Sequence, residues 1–279
     1  MCDGITNFDL KFSFKEKEGV IISTIKKIGE TLKKAGNLST SPLAVYYTDE
    51  KPENAVPMCS ADRCVAKSIM INAIDKDESA LYIGKDTLKG CCPGAMTYFG
   101  YTKPMKFIKY FVSTGNEKFR GGEAEYMKAS PEHVEGFLEA VGEIKNPGKY
   151  LVIQRCEDIN TDVNVKSFLC FGNSESIRNL GSLINFRTKN PFEAVKMPFG
   201  PSCATFVTYP AGLAENAPKD TAFVGPLDPT GNAWFPEEYM AIGIPKSVAV
   251  RMHEDIDYSF IVKRPQVAYP TKREEIDLL

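Results

Sequence analysis

The sequence predicts an α+β fold in which helices and strands form mixed layers of a single compact unit. Three observations support this: an amphipathic helix near the amino terminus, several short segments rich in β-branched and aromatic residues, and helices that begin at recognisable capping residues. At 279 residues the chain lies between one large domain and two modest ones. We therefore treat residues 1–279 as a single domain and leave a division into two lobes open.

The amino-terminal elements follow from hydrophobic spacing. Apolar residues in 16–36 recur at helical intervals with lysines on the other face, and Gly36 is a typical helix stop, so we expect a helix there. Residues 43–47 (LAVYY) and 80–84 (ALYIG) have the composition of strands. Between them, residues 66–73 are expected to be helical.

The middle of the chain carries further strands and two capped helices. We expect strands in residues 106–114, 149–155 and 163–172. Ser130 is a suitable N-cap and Pro131 suits the first helical position, which predicts a helix after them. A second helix is expected between Ser174 and Phe186.

The last third is dominated by loops. Residues 209–220 and 225–236 hold much of its glycine and proline, and long irregular loops of this kind are often functional. We expect them to form a lid or wall beside Cys203. A helix is expected from Pro245, and we identify no internal repeat and no linker.

Composition excludes several classes of function. A hydrophobic content of 43% and a charged content of 25% are ordinary for a soluble globular protein. The net charge of −2 argues against nonspecific nucleic-acid binding, which needs a concentration of Lys and Arg. No stretch has the apolar length of a membrane span, and the start of the sequence does not resemble a secretory signal. We therefore expect a cytoplasmic protein with no nucleic-acid or membrane partner.

Cysteine is the informative part of the composition. The chain has two histidines but eight cysteines, namely Cys2, Cys59, Cys64, Cys91, Cys92, Cys156, Cys170 and Cys203. A chain of this size does not need disulfides, and clustered cysteines in a reducing compartment more often bind metal or perform redox chemistry. With so little histidine, a metal would be bound by thiolates.

The candidate ligands are Cys59, Cys64, Cys91, Cys92 and Cys203, which lie in irregular or Gly/Pro-rich segments that precede expected helices. A helix amino terminus presents free N–H groups, which stabilise a thiolate or the negative charge of a thiolate-bound cluster. The spacing matches neither a ferredoxin run nor a C-x2-C pair, so buried, inert cysteines are the alternative. We expect Cys170 to be a core residue and Cys156 to be structural.

Five segments in order resemble a known family: SPLAVYYTDEKPE, DRCVAKSIM, CPGAMTYFGY, SFLCFGNSESIRNLGSLINF and GPSCATFVTYPAG. They resemble the uncharacterised prokaryotic proteins grouped as domain of unknown function 169, over about residues 40–250. The family has no assigned activity to transfer. The resemblance implies that Cys64, Cys92 and Cys203 belong to one site, whereas Cys59 and Cys91 match the pattern less clearly.

These observations lead to our first hypothesis, a cytoplasmic iron–sulfur protein with a [4Fe-4S] cluster on Cys59, Cys64, Cys92 and Cys203, and Cys91 as a reserve ligand. It would transfer electrons to a redox partner or act as a cluster-dependent enzyme on a small molecule. Zinc is the alternative metal, but structural zinc usually occupies closely spaced ligand pairs, whereas these ligands are scattered.

Two other classes of function remain open. The first is a metal-free thiol redox enzyme or sensor, with Cys92 as the nucleophile and a second cysteine as its partner. The second is a noncatalytic protein that binds a small molecule, in which the cysteines only pack.

Overall fold

The computed structural model describes residues 20–53, 55–58, 64–74, 80–87, 92–116, 124–228 and 235–263. The α-helices in these ranges are α1 (Val20–Gly36), α2 (Val65–Ile74), α3 (Pro93–Tyr98), α4 (Ile108–Val112), α5 (Pro131–Val141), α6 (Ser174–Ile184), α7 (Lys246–Asp255) and α8 (Phe260–Lys263). The strands are β1 (Leu43–Thr48), β2 (Val56–Pro57), β3 (Ala80–Gly84), β4 (Tyr150–Arg155), β5 (Val165–Gly172), β6 (Val195–Lys196), β7 (Ala222–Gly225) and β8 (Met240–Pro245). A π-helical turn spans Ala204–Thr208.

The strands of the described ranges form one mixed sheet in the order β2-β3-β4-β1-β5-β8-β7-β6. Outward from β1, the pairings are antiparallel to β4, antiparallel to β3 and parallel to β2. Outward from β5, they are antiparallel to β8, antiparallel to β7 and parallel to β6. The two halves of the sheet therefore have the same topology.

The two central strands, β1 and β5, pair antiparallel. A twofold rotation that exchanges two neighbouring antiparallel strands has its axis perpendicular to the sheet. Equivalent elements of the two halves of the fold therefore lie on the same face of the sheet. The fold thus has an approximate twofold axis between β1 and β5. We expected no internal repeat from the sequence, and the structure corrects this expectation. The repeat is visible in the topology and in only a few short sequence segments.

Helices cover both faces of the sheet. On one face α1, α6 and α7 bury apolar residues such as Ile28, Leu180 and Val248 against Phe168 of β5. On the other face α2, α3 and the π-helical turn pack on a second set of strand residues, including Leu43 and Val45 of β1, Ile153 of β4 and Leu169 of β5. Successive strand residues point to opposite faces, which is why β1 contributes Ala44 to the first core and its neighbours to the second.

Most sequence-predicted elements are confirmed. The expected helix at 16–36 is seen from Val20, and residues 16–19 lie outside the described ranges. The strands at 43–47, 80–84, 149–155 and 163–172 form, and so do the helices predicted in residues 66–73, after Ser130, after Ser174 and at Pro245. Asn173 caps α6, since its side chain accepts a hydrogen bond from Ser176 N at 2.9 Å.

The strand predicted in residues 106–114 is wrong, because helix α4 lies there. Its β-branched and aromatic content favoured a strand, but Phe107, Tyr110 and Phe111 also have the i, i+3, i+4 spacing of a helix. Lys109 forms an ion pair of 2.5 Å with Glu135, so α4 packs beside α5. Tertiary packing therefore outweighed local propensity.

Candidate functional site

Cys64 lies immediately before α2, and its backbone takes part in the first turn of that helix. Its carbonyl oxygen accepts a hydrogen bond from Ser68 N at 3.0 Å. Desolvation raises the pKa of the Cys64 thiol, and hydrogen bonds from the backbone N–H groups of Lys67 and Ala66 act in the opposite direction. The side chain is exposed. A solvent-accessible thiol therefore lies at the amino terminus of a ten-residue helix.

Cys92 is the N-cap of α3. Its backbone is extended (φ −56°, ψ 131°), Pro93 takes the first helical position, and its carbonyl oxygen accepts from Met96 N at 3.2 Å. A Cβ atom placed on Gly94 would lie 3.5 Å from Cys92 Sγ, so the thiol lies over the first turn of the helix. The side chain is exposed. The predicted loop-to-helix position of Cys92 is confirmed, whereas Cys91 lies outside the described residues.

Cys203 begins the π-helical turn and is buried, with 6% of its surface exposed. It belongs to the same apolar core as Val65 and Ala66 of α2 and Ala95 of α3. The π-helical turn is also joined directly to α3, because the Thr208 hydroxyl donates a hydrogen bond to the Tyr98 carbonyl oxygen. The elements that begin at Cys64, Cys92 and Cys203 therefore pack against one another.

The electrostatics of the thiols agree with this packing. Burial raises the pKa of Cys203 well above its ordinary value, and negative charge on Cys92 or on Cys64 raises it further. Negative charge on Cys92 likewise raises the pKa of Cys64. The charge of Cys92 therefore reaches both Cys64 and Cys203, so the three cysteines lie in one region of the described structure. Cys59, the fourth predicted ligand, lies outside the described residues.

Sequence reasoning missed two carboxylates, Asp228 near the thiols and Glu125 near Asp228. Asp228 follows β7, and its Oδ2 accepts hydrogen bonds from Ser202 N at 3.1 Å and from Ser202 Oγ at 3.4 Å. Its charge also raises the pKa values of Cys64 and Cys203, after burial and the other thiols. Asp228 belongs to the 225–236 loop, which was expected beside Cys203, and its place in that loop was the only available signal.

Glu125 is the second carboxylate. It is half-buried, and desolvation together with the charge of Asp228 raises the pKa of Glu125 to about 7. A carboxyl group with such a pKa can donate or accept a proton near neutral pH. Glu125 therefore supplies an acid–base group near Asp228, on the chain that follows α4.

Cys64 and Cys203 hold corresponding positions in the two halves of the fold. Ala55-Val56-Pro57-Met58 is followed after five residues by Cys64, and Ala194-Val195-Lys196-Met197 is followed after five residues by Cys203. The pattern A-V-x-M-x5-C thus begins one residue before β2 or β6 and ends immediately before α2 or the π-helical turn. This pattern was the sequence signal for the repeat.

Cys156 and Cys170 are buried in the core on the opposite face of the sheet. Cys170 is fully buried in β5, which confirms the prediction of a core residue. Cys156 packs so closely against α1 that a Cβ atom on Gly29 would lie 2.5 Å from Cys156 Cβ, as expected of a structural residue. Neither belongs to the cluster of Cys64, Cys92 and Cys203.

Within the described ranges, no three His, Cys, Asp or Glu side chains are arranged to hold a metal ion. The thiols of Cys64, Cys92 and Cys203 therefore do not form a metal site by themselves, and Cys59 and Cys91 lie outside the described residues. None of the described helices combines the length and apolar character needed to cross a membrane.

Comparison with known proteins places the chain in a family. No curated protein and no solved structure matches the sequence. The family model for domain of unknown function 169, described as uncharacterised ArCR, matches residues 31–255, which is well over half of the chain. It covers the sheet, both halves of the repeat and the three clustered cysteines. The chain therefore belongs to the family of domain of unknown function 169.

Proposed function

We propose that the protein is an iron–sulfur protein in which Cys64, Cys92 and Cys203 hold a [4Fe-4S] cluster. The observation that supports this is the convergence of three cysteines from three separate elements, each at the start of a helical segment. Cys59, with Cys91 in reserve, stays the fourth ligand predicted from the sequence. The cluster would serve electron transfer or a cluster-dependent reaction on a small molecule.

The environment of Cys203 argues against a reactive free thiol. Burial raises its pKa well above the ordinary value, so its thiolate is disfavoured while no cation is bound. A bound metal reverses this, because the coordinating thiol is deprotonated outright. Iron is favoured over zinc because the ligands come from distant parts of a chain with an adequate core, whereas structural zinc usually holds closely spaced pairs.

The residues around the thiols set what the site can do. An iron–sulfur cluster supplies one-electron chemistry or, at an open iron, a Lewis acid. Glu125, with a pKa raised to about 7 by desolvation and by Asp228, would accept or donate a proton beside it. We further propose that the protein works in the cytoplasm, where thiols stay reduced.

The test is anaerobic purification of the full chain with quantitation of iron, acid-labile sulfide and zinc. We expect about four irons and four sulfides per chain with broad absorbance near about 400 nm. Cys64→Ser, Cys92→Ser and Cys203→Ser should each lose most of the iron. Cys170→Ala is the matched control and should keep it, since Cys170 lies in the core on the other face. A colourless protein without iron or sulfide after reconstitution would reject the proposal.

A second candidate is thiol redox chemistry. One observation favours it: the side chains of Cys64 and Cys92 are exposed and so accessible to an oxidant in solution, whereas the side chain of Cys203 is buried. Exchange with a small-molecule disulfide would join Cys64 to Cys92 while the S–S bond of the oxidant breaks, and its two sulfurs would take the two electrons and two protons as free thiols. Peptide mapping of the metal-free protein after such oxidation tests this, and a protein that carries neither iron nor that disulfide would be left without either function.

A further inference from the structure

We propose that a cleft between the ends of α3 and α5 binds a small carboxylic acid with an apolar body. The cleft has a volume of about 500 Å³. This size lies within the range of roughly 300–1,000 Å³ that is typical of small-molecule sites. One wall is formed by residues 97–104, and the other by the end of α5 together with residues 142–144. The inference does not depend on the proposed iron–sulfur function.

The first wall is fixed to the rest of the protein by hydrogen bonds. The Phe99 carbonyl oxygen accepts a hydrogen bond from Asn146 Nδ2 at 3.0 Å. The Tyr101 hydroxyl donates to the Ile83 carbonyl oxygen at 2.8 Å and accepts from Leu151 N at 3.0 Å. These bonds tie the wall to β3 and β4, so the wall holds its position without a ligand.

The second wall is fixed at the point where the two helices end. Gly100 (φ 77°) follows α3 and Gly142 (φ 73°) follows α5, and a glycine in this conformation turns the chain out of a helix. A Cβ atom on Gly100 would lie 2.9 Å from Asn146 Cβ, so the walls approach closely there. Ile144 then forms a β-bridge with Ala214. The cleft is therefore preformed, and binding need not order it.

The second wall is apolar. Leu138, Val141 and Ile144 line the cleft, and each is only partly buried, so apolar surface remains for a ligand to cover. Val141 and Ile144 also pack against the core that contains Tyr98 and Tyr209. Hydrocarbon that binds here gains free energy in proportion to the apolar area removed from water. This wall selects the apolar part of the ligand.

The first wall carries the polar groups. The Thr97 and Thr102 hydroxyls lie 3.5 Å apart, and one hydrogen bond between two hydroxyls leaves a second proton to donate. The exposed Lys103 ammonium group forms no ion pair with any of the described residues. A carboxylate accepts hydrogen bonds from both kinds of donor, and the bond from an ammonium group is charge-assisted.

A phosphate fits the cleft less well than a carboxylate. Phosphate sites usually combine arginine, several backbone N–H groups or a helix amino terminus. The described residues of the two walls include a single lysine, no arginine and no helix amino terminus. One ammonium group matches the single negative charge of a carboxylic acid.

Glu143 sets the orientation of the bound acid. It lies on the α5 side of the cleft, and its carboxylate is already paired with Lys145 at 3.6 Å. The carboxyl end of α5, which is the negative end of the helix dipole, lies on the same side. Both disfavour a second carboxylate there. The ligand carboxylate therefore binds at Lys103, and its hydrocarbon lies against Leu138 and Val141.

The cleft is separate from the cysteine site. Helix α3 follows its N-cap Cys92 and ends at Tyr98, which lines the cleft. Six residues of α-helix rise about 9 Å, so a bound acid lies one short helix away from the Cys92 backbone. Binding at the cleft can therefore be measured whether or not the cysteines hold iron.

The test is isothermal titration calorimetry of the full chain, as purified, with octanoate, octylamine and octanol. The three probes share one hydrocarbon chain and differ in charge. We expect octanoate to bind at one site per chain, about tenfold more tightly than octanol because of its charge-assisted hydrogen bonds. Octylamine should bind more weakly than octanol, since its ammonium group meets Lys103.

Three variants locate the binding site. Lys103→Gln removes the charge and should weaken octanoate binding about tenfold while leaving octanol binding unchanged. Val141→Trp fills the cleft and should remove the binding of both probes. Lys33→Gln is the matched control, because Lys33 is exposed on α1, on the opposite face of the sheet from α3. Thermal unfolding checks that each variant is folded.

Several outcomes would overturn the proposal. Failure of octanoate to bind, or equal octanoate affinity in wild type and Lys103→Gln, would remove the carboxylate from the cleft. Tighter binding of octylamine than of octanoate would show that the cleft prefers a cation. Unchanged octanoate binding by folded Val141→Trp would place the ligand elsewhere on the protein.

Discussion

Gly243 of β8 lies directly against the backbone of Thr205 in the π-helical turn. A Cβ atom on Gly243 would be 2.8 Å from the Thr205 carbonyl oxygen and 2.6 Å from Pro210 Cγ. Both distances are shorter than a carbon atom can accept without movement of its neighbours. The absence of a side chain at Gly243 is therefore what lets the turn that begins at Cys203 lie close to the sheet.

We predict that Gly243→Ala destabilises the metal-free protein by about 1–3 kcal/mol, because the added methyl group overpacks the contact. The same displacement should lower iron uptake, since Cys203 begins the displaced turn. Urea unfolding gives the change in free energy, and iron quantitation gives the change in the site.

Gly181→Ala is the matched control. No atom lies within 4 Å of a Cβ placed on Gly181, which is inside helix α6. Alanine has a higher helix propensity than glycine, so this variant should be more stable by about 0.5–1 kcal/mol with unchanged iron. Equal stability of Gly243→Ala and wild type would show that β8 and the turn are not in close contact.

The pair of Arg187 and Asp255 should be worth a measurable amount of stability. Asp255 is buried, with 3% of its surface exposed, at the carboxyl end of α7, and it accepts a hydrogen bond from Arg187 Nε at 2.7 Å. Its carboxylate lies at the negative end of the helix dipole, which makes the arginine more important.

We predict that Arg187→Ala costs about 1–3 kcal/mol of unfolding free energy, since it leaves the buried carboxylate unpaired. The figure stays modest because the arginine side chain is itself 55% exposed. Arg178→Ala, on the exposed face of α6, is the control and should change stability by less than about 0.5 kcal/mol. Matching effects of the two substitutions in urea unfolding would contradict the prediction.

The cysteines should differ in their rates of alkylation. Cys64 and Cys92 are exposed, whereas Cys156, Cys170 and Cys203 are buried, and burial raises the pKa of each of these three. Each unit of raised pKa lowers the thiolate fraction about tenfold, so the buried thiols should react much more slowly with iodoacetamide at pH 8. Mass spectrometry of the metal-free protein measures the order.

The same labelling of the iron-loaded protein tests whether bound metal protects the cysteines from alkylation. In the iron-loaded protein Cys64 and Cys92 should become as slow as Cys203, because bound thiolates are shielded. Unchanged fast labelling of Cys64 in an iron-loaded sample would remove it from the ligand set.

Glu125 should make stability depend on pH. Its pKa is raised from 4.5 to about 7 by desolvation and then by Asp228, so the folded protein holds this proton more tightly than the unfolded chain does. The stabilisation is complete below pH 4.5 and is lost as the pH rises towards about 7. Denaturant midpoints of the metal-free protein between pH 4.5 and 7.5 measure this loss.

Glu125→Gln should flatten that part of the pH profile, because the amide does not titrate. Glu139→Gln, on an exposed position of α5, is the control and should leave the profile unchanged. Parallel profiles for Glu125→Gln and wild type would mean that Glu125 has an ordinary pKa.

Local sequence was enough to predict most elements, because capping residues and apolar spacing act within one helix or strand. Ser130 with Pro131 located α5, and the β-branched and aromatic content of residues 163–172 located β5. The segment at 106–114 was mispredicted because its residues suit both a strand and a helix, and the packing of α4 against α5 joins parts of the chain that local sequence does not relate.

The sequence by itself determined most of the element types and the family, and the resemblance implied that three cysteines belong together. Only the tertiary structure decided that the two halves of the sheet share one topology and that Asp228 lies near the thiols. The physical reason is that neighbouring strands are selected by the burial of whole faces. β5 therefore pairs with β1 and β8, and residues far apart in the chain meet where their loops leave the sheet.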